Sequence, residues 1–395
     1  MQLEGIRIVS FNHFLMGPLG VQFLADLGAE VIAIEPLNGA FQRHWGGSNA
    51  KKAGGETTLE LVANRNKKSV CLNLKDPEAL EIARKLCSSA DIVAENFRPG
   101  VMDKLGLGYD ALKELNSSVI FASASGFGAD GPYVNRPGQD MIAQSLSGLA
   151  WITGKEGQVP RLVGTSAIDH HGAMIFAAGI LGALVKKART GEGGRVDVNL
   201  FSSALNLQAE SLVCFFNGDR PSTAQQPEHV GSWYHEAPYG IYETSDSYVG
   251  LSLGNLPVML EAIGAKGEFQ AEQNEAFARR EEISAFFAKK LKTKTFDEWA
   301  EIFDAQDIWF TQVNDYSKLA NDPQQIHNGD LMRVEAWTGE EITLLANPVR
   351  YDGNIAPVRL APQKLGAQTT DVLSGLGLSQ KEIEALQKKG AIGVG

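Results

Sequence analysis

Short apolar runs alternate with longer helical patterns over the first third of the chain. Four runs predict strands, namely residues 6–11, 31–34, 91–97 and 119–125. Residues 18–27, 77–86 and 109–115 predict the helices between them. Because consecutive parallel strands need a long crossover, usually a helix, this alternation favours a mostly parallel sheet with helices on both faces. The sequence therefore predicts an α/β fold, with residues 36–68 as a long irregular segment.

The remaining part of the chain contains further helices and strands and one linker. Helical patterns cover residues 139–150, 170–187 and 379–388 and much of 280–305, and strand patterns cover residues 195–201, 240–244, 248–253, 331–336 and 341–345. Residues 217–229, NGDRPSTAQQPEH, have the composition of a linker. We therefore predict a large domain over residues 1–216, the linker over 217–229, a small α+β domain over 230–325, and a return linker with the C-terminal part of the large domain over 326–395.

Composition excludes several classes of protein. The chain has 36 Lys and Arg against 47 Asp and Glu, a formal net charge of -11, and such an acidic surface repels nucleic-acid phosphates. Cys71, Cys87 and Cys214 lie too far apart for a disulfide framework or a paired metal motif. The longest apolar stretch, residues 173–185, is shorter than the ~20 residues of a membrane span, and the first residues lack a signal-peptide pattern. We therefore expect a cytoplasmic protein that binds neither nucleic acid nor a membrane.

A glycine-rich motif, GFGADG at residues 126–131, follows a predicted strand as a dinucleotide-binding fingerprint does. Pro132 and Pro137 come next, so no helix can start there to bind a pyrophosphate. The fingerprint also normally follows the first strand of its fold, whereas this strand is a later one. The motif therefore indicates a glycine-rich turn at the carboxyl end of a strand.

Basic residues cluster in one short segment, at Arg65, Lys67, Lys68 and Lys75. The cluster is either a solvated charged loop or a site for the phosphates of an anionic cofactor. A second basic segment follows the predicted strand DIVAENF and contains Asn96, Arg98 and Lys104. Ligands of open α/β sheets bind beyond the carboxyl ends of the strands, which is where this second segment lies. Together, the two segments indicate a long polyanionic ligand.

Asp169 stands immediately before a long apolar helical pattern, in GTSAIDHHGAMIFAAGILGAL. Aspartate is a preferred N-cap of helices, so capping alone explains its place. However, a carboxylate that a helix dipole holds ionised beside a cofactor site can also act as a covalent nucleophile. Asp140, in GQDMIAQSLSG, is a weaker candidate, for which helix capping and support of the site are the alternatives.

Six segments carry a resemblance to a known family, namely GPLGVQFLADLGAEVIAIEP, ANRNKKSVCLNLKDPE, ADIVAENFRPGVMDKLGLGYDAL, SGFGADGPYVNRPGQD, TGEGGRVDVNLF and DPQQIHNGDLMRVE. Over nearly its whole length the sequence resembles the class III CoA-transferases, which include formyl-CoA, carnitine and succinyl-CoA:dicarboxylate CoA-transferases and the related α-methylacyl-CoA racemases. The resemblance implies a Rossmann-like large domain and a small α+β domain, joined by linkers into a ring-shaped subunit. It also implies that two such rings form an interlocked homodimer.

The resemblance assigns roles to individual residues. It makes Asp169 the catalytic nucleophile. It implies coenzyme A, as an acyl-CoA co-substrate, in contact with Leu15, Met16, Leu72, Lys75, Asn96, Phe97, Arg98, Lys104, Arg136 and Gln139. Substrate contacts or supporting residues are then His13, Asp140, His235, Gly254 and Asn255. It further implies small carboxylic acids as the other substrates, with no permanently bound cofactor and no metal.

Two segments depart from the patterns of particular family members. The racemases carry His–Asp where this chain has Gln139 and Asp140, and glutamine cannot be one of the two bases that racemisation needs. Residues 252–255, SLGN, lack the run of glycines of the formyl-CoA transferases. The sequence thus predicts an acyl-CoA:carboxylate CoA-transferase that moves CoA between (di)carboxylic acids through an aspartyl-CoA thioester on Asp169. The alternatives are an acyl-CoA isomerase of the same family, acting by intramolecular CoA transfer or racemisation, and a non-catalytic CoA-binding paralogue.

Overall fold

The structure is a computed structural model, and it describes residues 1–45, 51–218, 220–221 and 224–395. Residues 46–50 of the predicted irregular segment and residues 219 and 222–223 of the predicted linker lie outside the described residues. The chain packs as two compact units. The first unit comprises Met1–Ala143, Ser166–Leu207 and Gln324–Gly395, and the second comprises Gln144–Thr165 and Gln208–Pro323. The predicted domain bounds stay a prediction; they group residues 144–165 with the large domain, whereas those residues pack within the second unit.

The strands are short and spread over the whole chain. In chain order they are β1 (Arg7–Phe11), β2 (Glu30–Glu35), β3 (Lys52–Ala53), β4 (Glu56–Thr57), β5 (Lys67–Leu72), β6 (Ile92–Glu95), β7 (Ile120–Ser125), β8 (Gly194–Asn199), β9 (Gly240–Glu243), β10 (Tyr248–Leu251), β11 (Phe310–Gln312), β12 (Leu331–Glu335), β13 (Glu341–Leu345), β14 (Arg350–Tyr351), β15 (Asn354–Ile355) and β16 (Ile392–Gly393).

The helices are α1 (Met16–Asp26), α2 (Thr58–Ala63), α3 (Pro77–Ser88), α4 (Val101–Lys104), α5 (Tyr109–Leu115), α6 (Asp140–Leu146), α7 (Leu149–Thr153), α8 (Ala167–Thr190), α9 (Leu200–Leu207), α10 (Ala209–Asn217), α11 (Leu256–Ala262), α12 (Arg280–Leu291), α13 (Phe296–Ala305), α14 (Tyr316–Leu319), α15 (Pro323–Asn328), α16 (Thr369–Gly375) and α17 (Gln380–Lys388).

The first unit is built on a seven-stranded sheet with the order β16-β5-β2-β1-β6-β7-β8. Neighbouring strands are parallel except β16, which runs antiparallel to β5. The predicted α/β fold is therefore confirmed, and the sheet is mixed rather than wholly parallel. The strands are buried on both faces, as is usual where helices cover both sides of a parallel sheet.

Helices cover this sheet through apolar stripes. α3 buries Ala79, Ile82, Ala83 and Leu86, at the spacing of one helix face. α8 packs on α1, β7, β8 and α9 through a stripe consisting of Ile168, Gly172, Ala173, Phe176, Ala177 and Ile180. Of the helices in the described ranges, α8 alone is long and apolar enough to cross a membrane by length and composition, and 33% of its most apolar window is buried.

The structure differs from the predictions in several segments, among them residues 36–68, which also contain β3, β4 and the start of β5. The segment predicted as irregular contains the short helix α2, which begins after Thr57, whose side chain accepts a hydrogen bond from Glu60 N. The single helix predicted over residues 139–150 is broken into α6 and α7, because Gly148 has a left-handed backbone with φ of 86°. Hydrophobic periodicity reveals neither so short a helix nor a break at a single glycine.

The second unit contains a three-stranded antiparallel sheet with the order β11-β10-β9. The hairpin predicted from the sequence is present as β9 and β10, with Val249 opposite Tyr242. Helices α11 to α13 pack on this sheet around a core that includes Tyr242, Phe287, Trp299 and Phe303. The unit therefore has its own hydrophobic centre, as expected of a separately packed α+β unit.

Candidate active site

The carboxyl ends of β1 and β6 form the centre of the candidate site. From β1 the chain continues to β2 and β5 on one side of the sheet, and it then returns to β6, β7 and β8 on the other side. Open α/β sheets bind ligands in the crevice at the point where the strand order reverses in this way. Asn96 follows β6 directly, and its Oδ1 accepts a hydrogen bond from His13 N at 2.8 Å. Its Nδ2 donates to His13 O at 2.7 Å. This reciprocal pair joins the loops that follow β1 and β6.

The loop between β1 and α1 has an unusual backbone. Phe14 has φ of 61°, in the left-handed region, and its N–H donates to Gln42 Oε1 at 3.1 Å. The His13 ring stacks on Phe97, with the ring centroids 5.5 Å apart. Burial lowers the pKa of His13, so its imidazole is neutral at pH 7. As a neutral group, His13 can form a hydrogen bond with a substrate carboxylate but cannot neutralise its charge.

Helix α1 brings the predicted CoA-channel residues next to α8. Leu15 precedes the helix, Met16 is its first residue, and both side chains are buried. A Cβ atom built on Gly172 would lie 3.0 Å from Met16 Cε, so the Met16 side chain packs against α8. Gly172 is three residues after Asp169, on the same side of the helix. The structure therefore brings Met16 close to the first turn of α8, which carries Asp169.

Asp169 is not the N-cap of α8, contrary to the capping interpretation. The helix begins at Ala167, so Asp169 is its third residue. Asp140 caps the helix instead, since its Oδ1 accepts from Ile168 N at 2.7 Å and from Asp169 N at 3.1 Å. The capping carboxylate comes from a residue 28 positions earlier than Ile168, which a search for a local N-cap cannot find.

The electrostatics of Asp169 also differ from the expectation that the helix dipole would hold it ionised. Burial raises the pKa of Asp169 to about 7, and the negative charge of Asp140 adds to this effect. The carboxyl group is therefore poised between its two forms near neutral pH. When ionised, a carboxylate with a raised pKa is a stronger nucleophile than an ordinary aspartate, which suits covalent catalysis.

Much of the predicted basic cluster is buried and already paired. Arg65 forms two hydrogen bonds with Asp26, at 3.0 and 2.6 Å. Lys67 Nζ donates to Pro18 O, Ala63 O and Asn64 Oδ1. Lys68 Nζ forms an ion pair with Glu30 at 2.6 Å. Arg65 and Lys67 therefore hold the fold together, and neither the solvated-loop nor the phosphate-site interpretation is right for them. The Lys68 side chain is 42% exposed, so its ion pair lies at the surface.

Other predicted CoA contacts are exposed and available to a ligand. Lys75, Arg98, Lys104, Arg136 and Gln139 all have exposed side chains. The Arg136 guanidinium lies over the Tyr133 ring, 4.2 Å from its centroid. Leu72, in contrast, is buried in the core at the end of β5, so only its backbone can reach a ligand. The contacts to CoA themselves stay a prediction.

The GFGADG motif is a turn, as the sequence predicted. No helix begins between residues 126 and 139, all of which the structure describes. The backbones of Gly126 and Gly138 approach so closely that a Cβ atom on Gly126 would lie 2.7 Å from Gly138 Cα. The glycines therefore serve the close contact of two chain segments and do not start a phosphate-binding helix.

Three predicted site residues lie in the second unit. The His235 Nδ1 atom is 2.6 Å from Ser232 Oγ, and its ring centroid lies 4.2 Å from that of Tyr239. Asn255 is the N-cap of α11, where its Oδ1 accepts from Val258 N at 3.2 Å. Gly254 is exposed just before it. The Asn255 side chain thus has a structural task, while His235 and Gly254 keep their predicted roles as proposals.

Glu95 is a buried acidic residue that the sequence analysis missed. It is the last residue of β6, it accepts hydrogen bonds from Ser123 Oγ and from Phe97 N, and the second of these measures 2.8 Å. Burial raises the pKa of Glu95 to about 7, in spite of these two hydrogen bonds. The only signal in the sequence is a glutamate at the end of an apolar strand. Its bond to Phe97 N fixes the start of the loop that carries Arg98.

Comparison with known proteins identifies the family to which this chain is similar. A family model described as CoA-transferase family III matches residues 3–369. The chain is 30% identical to succinyl-CoA:glutarate CoA-transferase of Homo sapiens, over 94% of this chain and 85% of that one. It is 31% identical to acetyl-CoA:oxalate CoA-transferase of Acetobacter aceti, over 89% of each. A crystal structure of a CAIB/BAIF family protein from Brucella suis superposes with a TM-score of 0.83 and 27% identity, covering 94% of this chain and 98% of that one.

Proposed function

The chain belongs to family III of the CoA-transferases, and from this premise we propose that it moves CoA between carboxylic acids through a covalent intermediate on Asp169. The observation that carries the proposal is the Asp169 carboxyl group itself. It lies in the first turn of α8, next to the carboxylate of Asp140, with a pKa raised to about 7. A buried aspartate beside a second carboxylate is costly to ionise, and such perturbed groups are concentrated at functional sites.

The reaction proceeds in two balanced halves. The Asp169 carboxylate attacks the thioester carbonyl of the donor acyl-CoA, giving a mixed anhydride and the CoA thiolate. The thiolate then attacks the Asp169 carbonyl, which releases the donor acid and leaves an aspartyl-CoA thioester. The acceptor carboxylate attacks that thioester, and the released thiolate attacks the new acyl carbonyl, which regenerates Asp169. Because one thioester is exchanged for another, the transfer needs no external source of energy.

The exposed cations at the carboxyl edge of the sheet are the proposed contacts for CoA phosphates. Lys75 follows β5 and Arg98 follows β6, and these strands lie three positions apart in the sheet. At roughly 4.8 Å per strand the separation is about 14 Å, which requires an extended ligand to reach both. Lys104 adds a third cation on the β6 side. This spacing suits a long polyanionic nucleotide carrier better than a small anion.

The proposed substrates are acyl-CoA and small carboxylic acids, and the proposed active form is an interlocked homodimer in the cytoplasm. Several relatives act on succinyl-CoA by name, including a succinyl-CoA–D-citramalate CoA-transferase of Chloroflexus aurantiacus that is 29% identical. A dicarboxylate is therefore the first acid to test. The homodimer is supported by large apolar side chains that α8 leaves exposed, among them Met174 and Val185. The cytoplasmic location rests on the sequence alone.

The proposal is tested by incubating the protein with succinyl-CoA and a panel of carboxylic acids and identifying new acyl-CoA species by mass spectrometry. The wild-type protein yields a new thioester with at least one acid, and a CoA adduct appears on the peptide that contains Asp169. In Asp169→Ala the transfer falls by more than about 10²-fold and the adduct is lost. Asp371→Ala is the matched control, because Asp371 is also the third residue of its helix but is exposed.

Two outcomes would contradict the proposal. Retention of a tenth of the activity in Asp169→Ala would exclude this residue as the nucleophile. Isomerised products from a single acyl-CoA, with no transfer to any added acid, would instead establish an isomerase of the same family.

A further inference from the structure

Phe14 is held in a backbone conformation that L-amino acids rarely adopt. Its φ of 61° lies in the left-handed region, which favours glycine and disfavours a bulky aromatic residue. Phe14 stands directly before Leu15 and Met16, which the proposed function places in the CoA channel. Strained residues persist only where their surroundings determine the conformation, so the question is what holds Phe14.

Two side chains form hydrogen bonds with the backbone of this loop, one at His13 and one at Phe14. On one side, the Asn96 amide binds both the N–H and the C=O of His13. On the other, Gln42 Oε1 accepts from Phe14 N at 3.1 Å. The Phe14 ring also packs on Phe41, with ring centroids 4.2 Å apart. The hydrogen bond to Gln42 Oε1 is thus a polar contact of Phe14 itself, whereas Asn96 contacts only the residue before it.

Gln42 is itself rigidly placed. Its backbone O accepts a hydrogen bond from Thr57 Oγ1. The next residue, Arg43, donates from Nε and Nη2 to the two oxygens of Glu35, at 2.6 and 2.7 Å, and from Nη1 to Gln363 O at 2.9 Å. These groups are buried, and buried charge-assisted networks resist displacement because a broken partner is left unpaired. The acceptor oxygen offered to Phe14 therefore has a fixed position.

We propose that Gln42 is a positioning residue for CoA transfer: its side-chain oxygen holds Phe14 in the left-handed conformation and thereby sets the position of Leu15 and Met16 at the start of α1. Met16 packs against Gly172, which lies one turn after Asp169. The position of the Leu15–Met16 segment therefore determines how closely Met16 approaches Asp169. Gln42 does not touch the reacting atoms. The inference rests on the proposed function, because only that function places Leu15 and Met16 in a CoA channel beside a nucleophile.

The chain offers a matched control for removing this hydrogen bond. Gln42 and Gln22 are both 3% exposed, and the side-chain oxygen of each accepts from a backbone N–H. Gln22 Oε1 accepts from Arg65 N at 3.0 Å and its Nε2 donates to Val62 O at 2.9 Å. The substitutions Gln42→Met and Gln22→Met therefore remove similar buried bonds, but only the first affects Phe14.

The activity test uses succinyl-CoA and glutarate as the probe pair. In Gln42→Met we expect kcat to fall by about 10- to 100-fold, because a small misplacement next to the reacting groups has effects of this size. The KM for succinyl-CoA changes less than about threefold, since the exposed cations that bind the nucleotide are untouched. Gln22→Met keeps both constants within about threefold of the wild type.

A second substitution separates positioning from general structural damage. Glycine adopts positive φ without strain, so Phe14→Gly removes the need for the restraint. We expect Gln42→Met to lower kcat by no more than about threefold in the Phe14→Gly background. An equal loss in both backgrounds, or an equal loss in Gln42→Met and Gln22→Met, would overturn the proposal.

Hydrogen–deuterium exchange tests the same inference without any activity. Peptides that cover residues 12–16 exchange faster in Gln42→Met than in the wild type and in Gln22→Met, because the Phe14 amide has lost its acceptor. Unchanged exchange in these peptides would refute the restraint. If the wild-type protein transferred no CoA, the proposed function would fail, whereas the exchange result would still decide whether Gln42 holds Phe14.

Discussion

Asp169 is subject to opposing influences on its carboxyl group. The first turn of a helix favours an anion by about 0.3–1 kcal/mol. The pKa rises from an ordinary value of 3.8 to about 7 through burial and the charge of Asp140. At 1.36 kcal/mol per unit, that rise corresponds to a cost of roughly 4 kcal/mol for ionising the group. Burial and charge repulsion therefore outweigh the helix dipole, and the carboxylate is reactive rather than stabilised.

Replacing Asp140 by asparagine should shift the pH dependence of catalysis. Asp140→Asn keeps an oxygen that can cap α8 but removes the negative charge beside Asp169, so the pKa of Asp169 falls. Since the proposed nucleophile must be ionised, we expect wild-type kcat/KM to decline as the pH drops below about 7. In the variant this decline moves to lower pH by about one unit, and activity at pH 6 rises severalfold relative to its plateau. A pH–rate profile from pH 5 to 9 measures the shift.

The control for this shift is Asp140→Ala, which removes both the charge and the capping oxygen. It should show the same displacement of the acidic limb together with a loss of about 1 kcal/mol in the free energy of unfolding. If Asp140→Asn left the midpoint of the acidic limb unchanged, the titrating group would not be Asp169, or Asp140 would not influence it.

At the level of elements, the site depends on how closely α1 approaches α8. A Cβ atom on Gly20 would lie 2.8 Å from Ala173 O and 3.1 Å from Phe176 Cδ1. Both of these atoms belong to the buried face of α8, whose backbone cannot move without disturbing the sheet. Glycine at this position is therefore what allows α1 to bring Met16 against Gly172. The contact connects a packing requirement one turn into α1, at Gly20, with the site at the first residue of the helix, Met16.

Gly20→Ala tests this dependence. The added methyl group forces the two helices apart, so the free energy of unfolding should fall by about 1–3 kcal/mol. The displaced Met16 should also lower kcat/KM well beyond the effect of the stability loss. Gly375→Ala in α16 is the control, because its Cβ would meet nothing within 4 Å and alanine favours a helix by up to about 1 kcal/mol. Urea unfolding and steady-state kinetics of both variants provide the comparison, and full activity in Gly20→Ala would refute the link.

Across the whole molecule, local periodicity was enough to predict most elements but not the long-range pairs. The strands at Arg7–Phe11 and Ile120–Ser125 and the helix at Tyr109–Leu115 follow from apolar spacing within a few residues. The strand Ile392–Gly393 is too short to have a period, and it exists because it pairs with β5. Arg65 appears solvated in the sequence because its partner, Asp26, is 39 residues away.

In the candidate site, too, local features were predictable from the sequence and long-range contacts were not. The motif positions of Asp169, Asn96 and Met16 were available from the sequence through the resemblance. The cap that Asp140 provides to Ile168 and the hydrogen bond that Phe14 N donates to Gln42 Oε1 each join residues 28 positions apart, and no local pattern predicts them. The raised pKa of Asp169 likewise results from three-dimensional burial. Sequence reasoning thus named the candidate residues of the site but not what sets the electrostatics of Asp169.

The face of α8 that points away from the sheet leads to a prediction about assembly. Met174, Ala178 and Gly182 follow one another at intervals of four residues on one side of the helix, all exposed, and Val185 next to them is 58% exposed.

If a second copy covers this face, Val185→Glu buries an unpaired charge and weakens the dimer. In a monomer the same glutamate would be harmless, because water would solvate it. Val62→Glu, at an exposed valine of α2, is the control. Sedimentation velocity should give wild type and Val62→Glu twice the 42.6 kDa chain mass. Val185→Glu should lower the urea concentration at which the two chains separate, because interlocked rings come apart only when one of them opens. A wild-type mass of one chain would exclude the homodimer, and an unchanged urea concentration for chain separation in Val185→Glu would exclude this face as its interface.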